Sequence, residues 1–192
     1  GQSVVSGQQN GYAAGTHNVT ENGPPGYTPA FSGDCDLQGV VMLGVGDVKT
    51  CVITNDDVRP LLTVTKVVIN DDGGSATVGS FPLHVDGTQV TSGATNGFAV
   101  GNHAVTEQGS AAYTATFSDG CDQAGNLTLA PGDVKKCTIT NDDIQPRLTV
   151  IKRVVNDNGG LAEVGDFSLF VGNASVVSGD PHGFHAGSYD VT

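Results

Sequence analysis

Three polar residues interrupt strand faces that are otherwise apolar, at Lys66, Glu107 and Asn141. Successive side chains of a strand point to opposite faces, so Lys66 shares a face with Leu62 and Val64 in the run LTVTKVVI. The runs HAVTE and CTITN place Glu107 and Asn141 in the same way. Buried charges are rarely tolerated unless they are paired. We therefore expect an amine, a carboxyl group and a carboxamide from three different strands to meet in the core.

Four cysteines form two pairs with the same spacing of 16 residues, Cys35 with Cys51 and Cys121 with Cys137. Four cysteines allow three pairings, and the equivalence of the two pairs favours the local one. Two buried free thiols per pair are the alternative, and a zinc site would usually show C-x-x-C knuckles, which are absent. Disulfides predict an oxidising, extracellular location.

Aspartates gather on Gly-rich turns and at the ends of two strands. Clustered carboxylates suit calcium, which takes about six to eight oxygen ligands. No EF-hand spacing is present, and the alternative is ordinary turn chemistry, in which Asn and Asp cap exposed loops. Zinc at His182 and His185 is disfavoured because both lie in a polar turn. The calcium candidates are Asp56, Asp57, Asp71, Asp72, Asp142, Asp143 and Asp157.

Three Asn-x-Ser/Thr sequences could accept glycans in an extracellular setting. They begin at Asn18, Asn126 and Asn173. Such sequences also arise by chance where Thr is abundant, so the occupancy of these three sites stays open.

These residues recur because the chain repeats itself. CVITNDD begins at residue 51 and CTITNDD at residue 137, and LTVTK at 62 returns as LTVIK at 148, an offset of 86 residues each time. Pro60 and Pro146 follow the NDD strings and indicate domain boundaries. We predict the C-terminal part of a repeat domain at 1–57, a complete domain at 58–143, and the N-terminal part of another at 144–192. The overlap of the two partial domains favours a window of a longer array over partial domains that neighbouring chains complete.

The complete repeat is predicted to contain seven or eight short β-strands separated by turns. That density predicts an all-β fold of tandem small antiparallel β-sandwiches. Gly101-Asn102 is expected to turn a hairpin between strands at 98–100 and 103–107. If Lys66 and Asn141 meet, the first and last strands are neighbours, and Asp142 and Asp143 are expected to leave the sheet.

Composition excludes several functions. The net charge is −12 and only eight Lys and Arg are present, which argues against nucleic-acid binding. No apolar run approaches the roughly 18 residues of a membrane span. The sequence shows no Ser/His/Asp order, no nucleotide loop and no repeated carboxylate pair, so we do not expect an enzyme.

The motifs Thr-Val-Thr-Lys66, Val-Thr-Glu107 followed by Tyr113, and Ile-Thr-Asn141 resemble those of the B-type (SpaA-like) repeat domains of Gram-positive adhesins and pilins. The repeat that ends in CTITNDD also resembles the prealbumin-like domains of large secreted bacterial proteins. Two departures are the disulfide and the missing Pro-Gly after Glu107, although that Pro-Gly is present after Glu21. The resemblance implies a prealbumin-like, Ig-like sandwich on the cell surface.

The same resemblance implies a spontaneous isopeptide bond between Lys66 and Asn141, promoted by Glu107. Burial lowers the pKa of a lysine and frees its amine to act as a nucleophile. A protonated glutamate can polarise the amide carbonyl, and ammonia then leaves. The alternative is a buried Lys–Glu pair that is hydrogen-bonded to the amide. The first partial copy keeps two members of the set, Glu21 and Asn55, and the last keeps one, Lys152.

Two functions fit these features. The first is an extracellular stalk, fibre or filament of head-to-tail domains, because the linkers at 58–60 and 144–146 are short and stiffened by proline. Its partners would be adjacent repeats or other copies of the chain. The second is an adhesin module whose loops bind a surface ligand or glycan. Loops 94–96 and 180–182 differ between copies, as binding loops would, but drift also explains the difference.

Overall fold

A computed structural model describes all residues, from Gly1 to Thr192. The chain is built of antiparallel β-strands, with 3-10 turns at Val78–Ser80 and Val164–Asp166, which confirms the predicted all-β class. None of its helical turns has the length and apolarity that crossing a bilayer requires. Two compact units are present. The first comprises Gly1–Leu61, Gly97–Gly101 and Leu129–Val134, and the second comprises Leu62–Asn96, Asn102–Thr128 and Lys135–Thr192.

The first partial copy contains four strands. They are β1 (Gly15–Asn18), β2 (Tyr27–Gly33), β3 (Val40–Leu43) and β4 (Cys51–Asp57). Strand β1 pairs with β3, and β2 pairs with β4 along its whole length. The string CVITNDD is therefore a strand to its last residue.

The complete repeat forms two four-stranded sheets. Its strands are β5 (Leu61–Ile69), β6 (Leu83–Val85), β7 (Thr88–Val90), β8 (Thr95–Gly97), β9 (Gly101–Glu107), β10 (Tyr113–Asp119), β11 (Asn126–Leu129) and β12 (Val134–Asp143). One sheet has the order β10-β12-β5-β8 and the other β11-β9-β6-β7. The predicted neighbourhood of the first and last strands is confirmed, because β5 and β12 are adjacent.

The expected hairpin at Gly101-Asn102 is wrong. Strand β8 ends at Gly97 and pairs in one sheet, whereas β9 begins at Gly101 and pairs in the other. Residues 98–100 cross between the sheets, and the Phe98 amide donates to the Pro60 carbonyl instead of to a hairpin partner. Two short strand-like segments on either side of Gly-Asn cannot by themselves distinguish a hairpin from such a crossover.

Alternation along the strands creates the core. On β5, Leu62, Val64 and Lys66 are buried, whereas Leu61 and Val67 are more than a third exposed. The facing sheet contributes apolar residues of β6, β9 and β11. Full burial of one such aliphatic side chain stabilises the fold by about 1.5–3 kcal/mol. The buried members of this second set are Leu83, Val85, Val105, Leu127 and Leu129.

Strand β12 continues further than expected. Asp142 lies opposite Thr114 and Asp143 lies opposite Tyr113, so both aspartates belong to the sheet. The expectation that they leave the sheet is wrong, because β10 supplies pairing partners up to the end of the NDD string.

The last partial copy repeats the topology of the complete one. Its strands are β13 (Arg147–Thr149), β14 (Leu169–Val171), β15 (Ala174–Val176) and β16 (Pro181–Gly183). Strand β13 pairs with β16 as β5 does with β8, and β14 pairs with β15 as β6 does with β7. The same sequence in two copies therefore makes the same strand pairs.

Candidate functional site

Lys66 and Glu107 meet between the two sheets of the complete repeat. Lys66 lies on β5 and Glu107 on β9, and Nζ is 2.7 Å from Oε2. Their side chains are 0% and 5% exposed. The ammonium position also lies 4.7 Å from the centre of the Phe81 ring, which packs edge-on against Tyr113. The predicted contact between the amine and the carboxyl group is present and is shielded from water.

Asn141, the third predicted member, lies on β12, the strand next to β5, and is 1% exposed. Its Oδ1 makes no hydrogen bond, and neither does Glu107 Oε1, whereas Lys66 Nζ and Glu107 Oε2 are partners in the short ionic contact. A buried polar atom without a hydrogen bond costs about 1–3 kcal/mol. Two such atoms in one place need an explanation other than simple packing.

The electrostatics of the cluster favour a reactive amine. Burial lowers the pKa of Lys66, and this effect outweighs the hydrogen bond and the charge of Glu107, which raise it. The neutral amine, which is the nucleophilic form, therefore has a larger population at a given pH than in an exposed lysine.

The partial copies keep fragments of the same cluster. In the first copy, Asn55 Nδ2 donates to Glu21 Oε2 at 3.1 Å. In the last copy, Lys152 Nζ lies 4.3 Å from the centre of the Phe167 ring, as Lys66 does over Phe81. The first copy thus keeps a carboxyl–carboxamide contact and the last copy a lysine–aromatic contact.

Both local disulfides are present, as the spacing predicted. Cys35 is bonded to Cys51 and Cys121 to Cys137, with Cα–Cα distances of 5.2 and 5.3 Å. No cysteine is free. In the complete repeat the bond ties the turn before β11 to the buried face of β12.

Three of the seven calcium candidates come together. Carboxylate oxygens of Asp71, Asp142 and Asp143 all lie within 4.8 Å of one another. Burial, and next the negative charge of Asp71, raise the pKa of Asp142. Asp72 donates its backbone amide to Asp143, and its carboxylate is not one of the three. The other candidates lie elsewhere, with Asp56 and Asp57 on β4 and Asp157 hydrogen-bonded to Asn158.

Asp143 has a structural partner that the sequence interpretation missed. Asp143 is 8% exposed, and its carboxylate accepts hydrogen bonds from the amides of Asp72 at 3.1 Å and Gly74 at 2.6 Å. Burial pushes its pKa upward, but these amides hold the pKa below the ordinary value. Tyr113 Oη donates to Asn70 Oδ1 at 2.6 Å and accepts the Ala76 amide. The sequence did contain a signal for these contacts, because the tyrosine at 113 and the NDD string at 141–143 both recur 86 residues apart and the NDDGG turn recurs in similar form.

A shallow polar groove runs beside β9 and β11. His103 Nδ1 contacts Asp86 Oδ2 at 2.6 Å, and Thr128 Oγ1 donates to Asn102 Oδ1 at 2.7 Å. The polar groups of the groove thus bond to one another.

The glycan-acceptor candidates Asn18, Asn126 and Asn173 are all exposed, and their use stays a prediction. His182 accepts a backbone amide, and no metal-binding group of three side chains includes it.

Comparison with known proteins identifies the fold of the complete repeat. Residues 57–139 match the SpaA_2 family, described as a prealbumin-like fold domain. No curated protein matches the chain. Among solved structures, the major pilin protein (T-13) of Streptococcus pyogenes is 20% identical, with 67% of this chain and 66% of the pilin covered and a TM-score of 0.28. The chain thus spans slightly less than two thirds of that pilin. Over residues 57–139 the chain is therefore similar to SpaA-like prealbumin domains.

Proposed function

We propose that this chain is a load-bearing part of an extracellular stalk or fibre, built from prealbumin-like domains in head-to-tail order. The observation that carries the proposal is the buried contact between Lys66 and Glu107, together with Asn141 buried on the adjacent strand β12. Strands β5 and β12 are the places where the chain enters and leaves the domain. A covalent link between these two strands would pass tension directly through the domain without unfolding it. The disulfide Cys121–Cys137 supports the same role and the same extracellular setting.

The link we propose is an amide between Lys66 and Asn141. The neutral amine of Lys66 attacks Cγ of Asn141 while protonated Glu107 donates a hydrogen bond to Oδ1. The Nζ–Cγ bond forms and the Cγ–Nδ2 bond breaks. Nδ2 leaves as ammonia with a proton that came from Nζ and was passed on by Glu107, which is regenerated. The reaction needs no co-reactant and occurs once in each domain.

Intact mass tests the bond. We expect the 192-residue chain to be one ammonia lighter than its sequence, beyond the two hydrogens lost for each disulfide. Lys66→Ala should restore the missing ammonia. The matched control is Lys152→Ala, which removes the equivalent lysine of a copy that contains no Asn partner, and it should leave the deficit unchanged. A wild-type mass without the deficit would reduce the cluster to a buried ion pair and remove the cross-link from the proposal.

Calcium stays a prediction at the Asp71, Asp142 and Asp143 cluster. A bound cation would offset both the burial and the repulsion from Asp71 that raise the pKa of Asp142. Millimolar calcium should then raise the melting temperature of the wild type, and Asp142→Asn should abolish the increase. Asp56→Asn changes the equivalent residue of the first copy and should respond as the wild type does. An equal response to magnesium, or none to calcium, would speak against a calcium site.

A further inference from the structure

The segment 184–187 of the last copy lies against the loop 70–76 of the complete repeat. The Ala186 amide donates to the Asp72 carbonyl at 2.7 Å. Gly73 has a φ of +94°, and a Cβ at this position would lie 2.8 Å from Ala186 N and 3.0 Å from its Cβ. Real Cβ atoms almost never approach other atoms so closely, so only glycine allows the contact.

Loop 70–76 is held in place from within its own domain. The buried Asp143 carboxylate accepts two of the loop's amides, and Tyr113 bonds to both ends of the loop, at Asn70 and Ala76. A Cβ on Gly74 would lie 2.7 Å from Asp143 Oδ2. The loop is therefore preformed, and its carbonyl at Asp72 is presented to the next copy rather than used inside the domain.

We propose that loop 70–76 is a docking surface for the following repeat, which binds through the segment that contains Ala186. The equivalent of Ala186 in the complete repeat is Val100, which is 48% exposed and therefore accessible to a preceding loop. The Gly-Gly pair of the loop recurs at Gly159 and Gly160. Every junction of such an array would therefore have both halves of this contact.

This contact gives a junction a second attachment besides the linker. Within the linker, the Ile144 amide donates to the Ala112 carbonyl and the Phe184 amide donates to the Pro146 carbonyl, both at 2.9 Å. Docking at Ala186 would add a hydrogen bond outside the linker and restrict rotation about the linker. The inference requires no bond between Lys66 and Asn141, so the mass experiment and the following one can fail independently.

Amide exchange in the 192-residue chain, measured by NMR, tests the docking. The Ala186 amide should be protected in the wild type. Gly73→Ala should lower this protection about tenfold, the change expected from losing one hydrogen bond. Gly159→Ala is the matched control, because Gly159 has a similar φ of +86° but no atom within 4 Å of a built Cβ, and it should leave Ala186 protected. The Phe184 amide should stay protected in both variants.

A second variant addresses the partner side and leaves the loop intact. Ala186→Pro removes the donor, and it should shift the backbone resonances of Asp72 and Gly73 while those of Asn158 and Gly159 stay unchanged. Three results would overturn the proposal. They are an unprotected Ala186 amide in the wild type, equal loss of protection in the two glycine variants, and unchanged loop resonances in Ala186→Pro.

Discussion

Stretching the 192-residue chain between its ends should release far less length from the complete repeat than its residue count allows. An amide between Lys66 and Asn141 would keep the 75 residue steps between them (141 minus 66) out of the extended chain. At a contour of about 3.5 Å per residue, this is about 260 Å of hidden length. The measurement is single-molecule force spectroscopy with handles at both termini.

Asn141→Ala is the control for this experiment, because it removes the electrophile and leaves the contact between Lys66 and Glu107. The variant should release about 200 Å more than the wild type, since the disulfide still hides 16 of the 75 steps. A reducing agent should release about 55 Å in addition. If the wild type and Asn141→Ala extend equally, the domain is not cross-linked and the load-bearing role loses its main support.

The second large effect concerns stability. In the Asn141→Ala background, Lys66→Met should lower the free energy of unfolding by about 3–5 kcal/mol, because Glu107 is then left as an unpaired charge in the core. Adding Glu107→Leu should recover most of this loss, since apolar residues often replace a buried ion pair at little cost. The free energy of unfolding is measured by denaturant titration of Asn141→Ala alone, with Lys66→Met, and with both Lys66→Met and Glu107→Leu. Hydrogen exchange of the core amides of β5 and β12 provides a second measurement of the same differences.

This double replacement also separates two interpretations of the cluster. If Lys66→Met costs less than about 1 kcal/mol in the Asn141→Ala background, the pair is solvated as a surface ion pair would be. The 0% and 5% exposure of the two side chains predicts the opposite result.

The sequence alone determined the composition of the cluster and of the disulfides. Side chains of a strand alternate between two faces by covalent geometry, so Lys66, Glu107 and Asn141 could be assigned to the inner face without knowledge of their neighbours. The 86-residue offset then identified which cysteines are equivalent, and local pairing followed. Both inferences depend only on the spacing of residues along the chain, which can be read from the sequence without the fold.

The tertiary structure decided which strands pair and what surrounds each aspartate. The segment 98–100 crosses between sheets because β8 pairs with β5 and β9 with β6, a choice made by residues far away in sequence. Asp143 accepts amides from residues about 70 positions earlier, and Asp72 accepts the amide of Ala186 more than 100 positions later. Such contacts depend on how the sheets and successive repeats stack, and no local pattern of polarity or turn residues encodes that stacking.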